Sequence, residues 1–430
     1  MDIYKFGGAS INSAPAVRNM ASIVQRHGDG PLIIVVSAMG KTTNALERLV
    51  PGVTTDPSER QSIYDTLVRY HSTIIDELFI ADTTALAATA VAKESKRKAY
   101  EKVDTYFQLL RLRMEAQPTG YNFDYDQTVS LGELISTTIV SEYLNFVGLS
   151  NRWMDVRELI RTDATYREGH VDWTTTLLRV KAAMPMLCAQ VTVTQGFIAG
   201  TAARTTTTLG REGSDYSAAI LSHCVGAESM TIWKDVPGFL NADPKFFPDT
   251  VKIDRLPYNE AIELAYYGAS VIHPKTVKPL QNKDIRLHIR SFLQPDASGS
   301  VIGPFSEIEP RTPLYIVRPN QVLLSIMPKD FSFIAEDNLQ TIFAALASTG
   351  VRVNLMQNSA LSFSLCVDNN DILLSQLQDL LAPTFRLRHN QGLHLITIRY
   401  YTDDIIRRIV ADRPVLLQQR SRTTIQLIVK

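Results

Sequence analysis

Residues 32–36 read LIIVV, an unbroken apolar run between Pro31 and Ser37. A strand that is apolar at every position, without polar alternation, buries both of its faces, which suits a parallel sheet covered by helices. The chain before it agrees. Ile3–Phe6 suits a short strand, and Asn12 or Ser13 can cap a helix running to about Arg26, with Val17, Met20, Ile23 and Val24 along one face. Gly28 and Gly30 stop that helix. The result is a βαβ opening with a glycine-containing loop after each strand.

The alternation continues. Residues 58–116 read as an inserted, rather polar helical layer. A helix near 134–146, a strand at 191–194, a helix at 215–224, a strand at 230–233 and a helix at 258–267 follow. The fold class expected is α/β, a mostly parallel sheet sandwiched by helices over residues 1–300. Pro295, Gly299, Gly303, Pro304, Pro310 and Pro313 give a linker-like composition, and the boundary is placed at 301–313. Residues 314–430 change to short units: a strand at 322–327, a helix at 339–348, strands at 351–355 and 361–367, a helix at 372–381, and strands at 394–400, 415–419 and 424–429. They read as α+β, two βαββ-type modules with the second one short.

A chain of 430 residues fits two or three domains, and 45% hydrophobic with 20% charged residues is the balance of a soluble protein. Lys+Arg and Asp+Glu are both 44, which argues against nucleic acid as a partner. No apolar segment of signal-peptide type opens the chain, and Leu32–Val36 is too short to span a bilayer, so no membrane partner is expected. Cys188, Cys224 and Cys366 show neither metal-ligand spacing nor a disulfide framework, and a reduced cytoplasmic setting follows.

Five segments carry the chemistry. KFGGAS (5–10) follows the first strand. Gly7 and Gly8 let backbone N–H groups approach an anion, and Lys5 adds a mobile point charge for phosphoryl oxygens. VVSAMGKTTN (35–44) ends the second strand, where open α/β sheets bind ligands. Its GKTT resembles the end of a P-loop, but the spacing fails because position 35 is Val. In TLGREGSDYSAA (208–219), Arg211 on a glycine-rich turn suits a bidentate grip on a carboxylate, and Asp215 can steer Lys5 by charge pairing. Ser214 and Asp215 are equally suited to capping a helix. Glu133 in SLGELIS (130–136) can meet an ammonium group or serve its helix's first turn. In IWKDVPGFLNADPK (232–245), Lys234, Asp235 and Lys245 can edge a nucleotide pocket or stand as surface turn charges. His273 before Pro274 reads as a structural turn residue.

Taken in order, KFGGAS, VVSAMGKTTN, SLGELIS, TQGFIAG (194–200), TLGREGSDYSAA, IWKDVPGFLNADP and YNEAIELAYYGASVIHP (258–274) make residues 1–300 resemble the aspartokinases of the amino-acid kinase superfamily. Residues 314–430 resemble the paired ACT regulatory modules that follow that kinase domain.

The resemblance implies transfer of the ATP γ-phosphate to the β-carboxylate of L-aspartate, the first step toward lysine, threonine and methionine, with Mg²⁺ riding on ATP and no residue of the chain assigned as a metal ligand. It implies that Lys5, Gly7 and Gly8 hold the phosphate in transfer, with Ser37 from the second loop and Asp215 beside Lys5. Thr43 contacts the substrate, Glu133 binds the aspartate amino group, and Arg211 with Ser214 binds its α-carboxylate. Lys234, Asp235 and Lys245 serve the nucleotide. Ala9 departs from the family's usual threonine, Leu240 from a tyrosine and Ser270 from an ATP-contacting lysine. An amino-acid effector, lysine first, is expected at the first ACT module around Phe333, Ile334, Asn354, Asn358 and Ser359. Asn354 and Ala360 stand where lysine-inhibited relatives carry acidic residues. The modules imply a homodimer or higher assembly. Two alternatives are another amino-acid kinase, acting on glutamate or its N-acetyl form, and a non-catalytic amino-acid sensor.

Overall fold

A computed structural model of the chain describes residues 1–28, 30–80, 86–189, 191–269, 271–411 and 413–430. Two compact units are present. The first comprises Met1–Phe239, Ile253–Ile262 and Val271–Glu309, and the second Leu240–Lys252, Glu263–Ser270 and Pro310–Lys430.

The chain opens with β1 (Asp2–Phe6), α1 (Ala14–His27), β2 (Leu32–Val36), α2 (Thr42–Arg48), α3 (Pro57–Leu78) and α4 (Leu86–Glu115). Then come α5 (Tyr121–Val129), α6 (Leu131–Phe146), β3 (Asn151–Met154), α7 (Trp173–Leu187), β4 (Val191–Gln195), β5 (Ile198–Gly200) and β6 (Thr206–Thr208). The series continues through α8 (Gly213–Val225), β7 (Ser229–Lys234), β8 (Phe239–Leu240), β9 (Lys252–Ile253), β10 (Arg255–Pro257), α9 (Tyr258–Tyr267), α10 (Pro274–Gln281), β11 (Arg286–Ser291) and β12 (Ser300–Gly303).

Eight strands form the sheet of the first unit in the order β10-β12-β11-β7-β1-β2-β4-β3. Every neighbouring pair is parallel except β11 with β12. The LIIVV run is β2, buried at all five positions beside β1. Trp233 is wholly buried and stacks on Phe6, centroids 6.0 Å apart and planes 4° apart. The register aligns Phe6 with Val36 and with Trp233, and Val36 with Gln195. The loops after β1, β2, β4 and β7 therefore leave one edge of the sheet together, the edge at which open α/β sheets bind ligands. α3 and α4 are long helices inserted between β2 and β3. Asp56 caps α3 by accepting from the N–H of Ser58 at 2.9 Å.

The second unit holds β13 (Leu314–Pro328), α11 (Glu336–Thr349), β14 (Val353–Asn358), β15 (Phe363–Asp368), α12 (Asp371–Leu381), β16 (Phe385–Arg399), α13 (Asp403–Val410), β17 (Val415–Arg420) and β18 (Thr424–Val429). They build one antiparallel sheet, β14-β15-β13-β16-β18-β17. The two halves share strands: Leu314–Arg318 of β13 pairs with the far end of β16, and Gln321–Pro328 pairs with β15 and the near end of β16. A register shift between Arg318 and Gln321, with Asn320 at φ 53°, bends β13 at the seam. Within this unit Arg318 donates to the carbonyls of Tyr267 (2.7 Å) and Tyr266 (2.9 Å) at the end of α9, and to Asn354 Oδ1 (3.0 Å). Among the described residues no helix is long and apolar enough to cross a membrane.

Candidate active site

The loops at the sheet edge enclose a cleft of about 770 Å³, lined by Lys5, Gly8, Ser37, Thr43, Glu133, Arg211, Ser214 and Asp215 among others. Lys5 is the penultimate residue of β1. Its side chain is nearly buried and its Nζ forms an ion pair with Asp215 Oδ1 at 2.5 Å. Asp215 sits in the first turn of α8, wholly buried, and Lys234 Nζ, from the last residue of β7, stands 3.7 Å from its other oxygen. Burial pushes the Asp215 pKa up, but the charges of Lys5 and then Lys234 outweigh it and hold the carboxyl below its ordinary value. Lys234 also donates to the carbonyl of Val271 at 2.5 Å. Two lysines from neighbouring strands thus converge on one carboxylate at the cleft floor.

The first two loops interlock. Gly40 N–H donates to Gly8 C=O at 3.1 Å and Ser37 N–H to Phe6 C=O at 3.2 Å. A Cβ at Gly8 would stand 2.6 Å from Ala38 O and 3.0 Å from Gly40 O, so only glycine allows this approach. The same holds at Gly196, where a Cβ would fall 2.6 Å from the Cβ of Ser214 and push α8 away from the β4 end. The N–H groups at the start of the 13-residue helix α8 point where an anion can be held.

Glu133 lies in the first turn of α6 and does not cap it. Its Oε1 accepts from the N–H of Ala38 at 3.3 Å, and its Oε2 has no hydrogen-bond partner among the described residues. Burial pushes its pKa up to about 8, opposed by the Ala38 N–H. A buried carboxyl with an open oxygen facing a cleft is suited to a cation arriving with the ligand. Among the described residues no histidine lines the cleft. His71 lies behind the second loop, 3.4 Å from Thr42 Oγ1, and burial pushes its pKa down to about 4, so it stays neutral.

The structure brings eight of the expected residues into the cleft lining, and Gly7 adjoins it, since a Cβ there would stand 3.4 Å from Lys5 Nζ. Lys234 reaches the floor through Asp215. Asp235 is an exposed turn residue of the first unit. Lys245 and Leu240 belong to the second unit, where the N–H of Lys245 donates to Asp243 at 2.9 Å on an exposed turn. Ser270 lies outside the described residues. His273 caps α10, accepting from the N–H of Lys275 at 3.2 Å. In the second unit, Ile334 N–H donates to Ala360 C=O at 2.9 Å, Asn358 Nδ2 donates to Ile334 C=O at 3.5 Å, and Ser359 bonds Ser362. Phe333, Ile334, Asn358 and Ser359 therefore gather at one end of β14. Asn354 is engaged elsewhere, with Arg318, Gln321 and Asp368.

Sequence reasoning missed Asn122 and Tyr125 on α5, and Tyr166, Arg167 and Glu168 on the loop before α7, all in the cleft lining. It also missed Asp126, which is buried and accepts from Arg167 N–H (2.8 Å), Thr208 N–H (2.9 Å) and Thr208 Oγ1 (2.7 Å). No glycine pattern or phosphate motif marks 161–170. The only available cue was Arg-Glu-Gly at 167–169, which has the look of a turn.

A glycine-lined sheet edge with two lysines on a buried aspartate is the arrangement of a phosphoryl-transfer fold. The model of the amino acid kinase family matches residues 3–291, and the chain belongs to that family. The lysine-sensitive aspartokinase 3 of Escherichia coli (strain K12) is 31% identical over 408 residues, 92% of this chain and 86% of that protein. A chloroplastic bifunctional aspartokinase/homoserine dehydrogenase of Daucus carota is 29% identical over 373 residues, 85% of this chain and 39% of that protein. The crystal structure of E. coli aspartokinase III in complex with aspartate and ADP (R-state) superposes with a TM-score of 0.80 at 26% identity, covering 100% of this chain and 96% of that one. Within the amino acid kinase family, this chain stands with the aspartokinases.

Proposed function

We propose that the chain transfers the γ-phosphoryl group of ATP to the β-carboxylate of L-aspartate, giving 4-phospho-L-aspartate. The observation that carries this reading is one cleft in which Lys5, charge-paired to buried Asp215, meets Glu133, a buried carboxyl with an open oxygen. Glu133 receives the ammonium group of aspartate. Arg211 grips the α-carboxylate with Ser214 beside it, and Thr43 contacts the substrate from the second loop. The β-carboxylate is already ionised at pH 7, so the nucleophile needs aim and charge relief, not a base. Lys5 supplies that relief with the N–H groups of Gly7 and Gly8, while Asp215 holds its ammonium in place. Ser37, Lys234 and Asp235 serve the nucleotide.

Mg²⁺ carried on the ATP phosphates would neutralise their charge, and Glu168 and Glu212 give the cleft lining carboxylate oxygens of the hard donor type it takes. Residues 1–300 form the catalytic part and 314–430 the ACT-like regulatory part, in a cytoplasmic enzyme. Lysine is the effector we assign to the Phe333–Ile334 and Asn358–Ser359 end of β14, supported by the lysine-sensitive relative. Pairing of two copies through this part is supported by exposed Phe331, Phe333, Met356 and Leu361. The test is ADP release with aspartate against glutamate as acceptor, repeated with lysine, threonine and methionine. Turnover that ignores aspartate would overturn the reading.

A further inference from the structure

Among the described residues, nine non-glycine residues hold a φ in the left-handed region, and three of them line this cleft: Arg167 (73°), Phe197 (69°) and Glu212 (54°). Such a conformation is costly for a side chain and free for glycine. Strain gathered at one site marks positions where the side chain itself is useful.

Arg167 is held at both its backbone and its side chain. Its N–H is fixed by buried Asp126 at 2.8 Å, an anchor that also holds Thr208, and this sets its backbone. Its guanidinium lies over the rings of Tyr121 and Tyr125, 5.2 and 4.7 Å from their centroids. A guanidinium held over aromatic rings keeps N–H donors that the rings do not use. Among the described residues no carboxylate forms an ion pair with it. A Cβ at Gly210 would stand 3.4 Å from Arg167 O, so the loop of Arg167 abuts the turn that carries Arg211. Two arginines therefore stand on adjoining loops of one cleft, the first held over two tyrosines, its charge felt by buried Asp126 but, among the described residues, in no ion pair.

We propose that Arg167 is a second carboxylate-binding arginine of the acceptor site, sharing with Arg211 the hold on the α-carboxylate of the amino-acid substrate. The proposal rests on the reading of this cleft as the aspartate site. Arg167 acts in binding: it adds two in-plane donors to a carboxylate that Arg211 alone would hold from one side, and it leaves the phosphoryl-transfer step to Lys5.

The test is steady-state kinetics and thermal denaturation of the full chain as Arg167→Gly and Arg167→Lys. Glycine relieves the backbone and removes only the side chain. The expected result is an aspartate KM raised by about tenfold or more, the loss of a charge-assisted hydrogen bond. The kcat and the ATP KM should stay within about twofold, with no fall in melting temperature. Lysine keeps the charge and loses the fork, so its aspartate KM should lie between the two. An unchanged aspartate KM in folded Arg167→Gly overturns the proposal. So does a joint fall in kcat and melting temperature, which would make Arg167 a prop for α5. Wild-type enzyme that turns over aspartate normally keeps the acceptor reading intact in either of those cases, whereas absence of aspartate-dependent ADP release in the wild type overturns both.

Discussion

Replacing Glu133 by glutamine converts a titrating buried group into a fixed neutral one of the same shape. In the free enzyme the Glu133 pKa is pushed up from 4.5 to about 8 by burial. The folded state therefore retains a proton that the unfolded chain releases, and this contribution to stability is complete below pH 4.5 and lost as pH rises through 8. Each pKa unit is worth about 1.4 kcal/mol, so a shift of this size sets a ceiling of about 5 kcal/mol. Melting curves from pH 5 to 8 should show wild type losing stability relative to Glu133→Gln, with the gap widening up to pH 8. Binding runs the opposite way, because only ionised Glu133 pairs with an ammonium group. The wild-type aspartate KM should fall toward pH 8, by as much as about tenfold per unit, and level off above it. In Glu133→Gln the aspartate KM should be flat across this range and higher at pH 8 by on the order of 100-fold, the loss of a charged hydrogen bond. Parallel pH profiles for the two proteins, in stability and in KM, would refute the reasoning.

Lys5→Ala should reduce kcat by at least about 1000-fold with the circular dichroism spectrum preserved; near-normal turnover would sink the mechanism. Arg211→Ala should raise the aspartate KM about tenfold or more and leave the ATP KM within about twofold; a change in the ATP KM alone contradicts its carboxylate role. Gly8→Ala places a Cβ 2.6 Å from the Ala38 carbonyl, and should lower the melting temperature and reduce kcat together as the two phosphate loops part; activity equal to wild type would show that the loops yield freely. Asp215→Asn removes the charge shared by Lys5 and Lys234 and should cost kcat more than either KM, measured under saturating aspartate and ATP.

The phosphate side of the site was legible because its chemistry is local. Glycines at 7 and 8, a lysine at the strand end and an acid in the first turn of α8 each announce themselves within a few residues. The acceptor side was half legible: Glu133 and Arg211 carry a helix-turn and a glycine-turn signal, whereas Arg167 depends on Asp126, some 40 residues before it, for its backbone and on Tyr121 and Tyr125 for its guanidinium. Partners of that kind exist only once the chain is folded. In the second unit the sequence places a strand at 322–327. β13 instead runs from Leu314, because Asn320 takes the left-handed conformation that asparagine tolerates and the ladder resumes beyond a bulge. α13 was not anticipated. Its apolar residues Ile405, Ile406, Ile409 and Val410 cover the core of Ile396, Ile398, Ile425 and Leu427, a pattern too short to outweigh the acidic and basic residues between them.

The seam in β13 has a mechanical meaning. Because β13 and β16 each pass through both halves of the sheet, the halves cannot twist independently; a change of pitch in one is a change of pitch in the other. Arg318 stands at that seam and grips the last carbonyls of α9. A small rotation of the sheet about its bulge would thus emerge as a tug on one helix terminus, with a single guanidinium as the lever. Amide hydrogen exchange would register the shared motion as a common opening rate for residues 314–318 and 321–328, and two distinct rates would show that the seam behaves as a hinge.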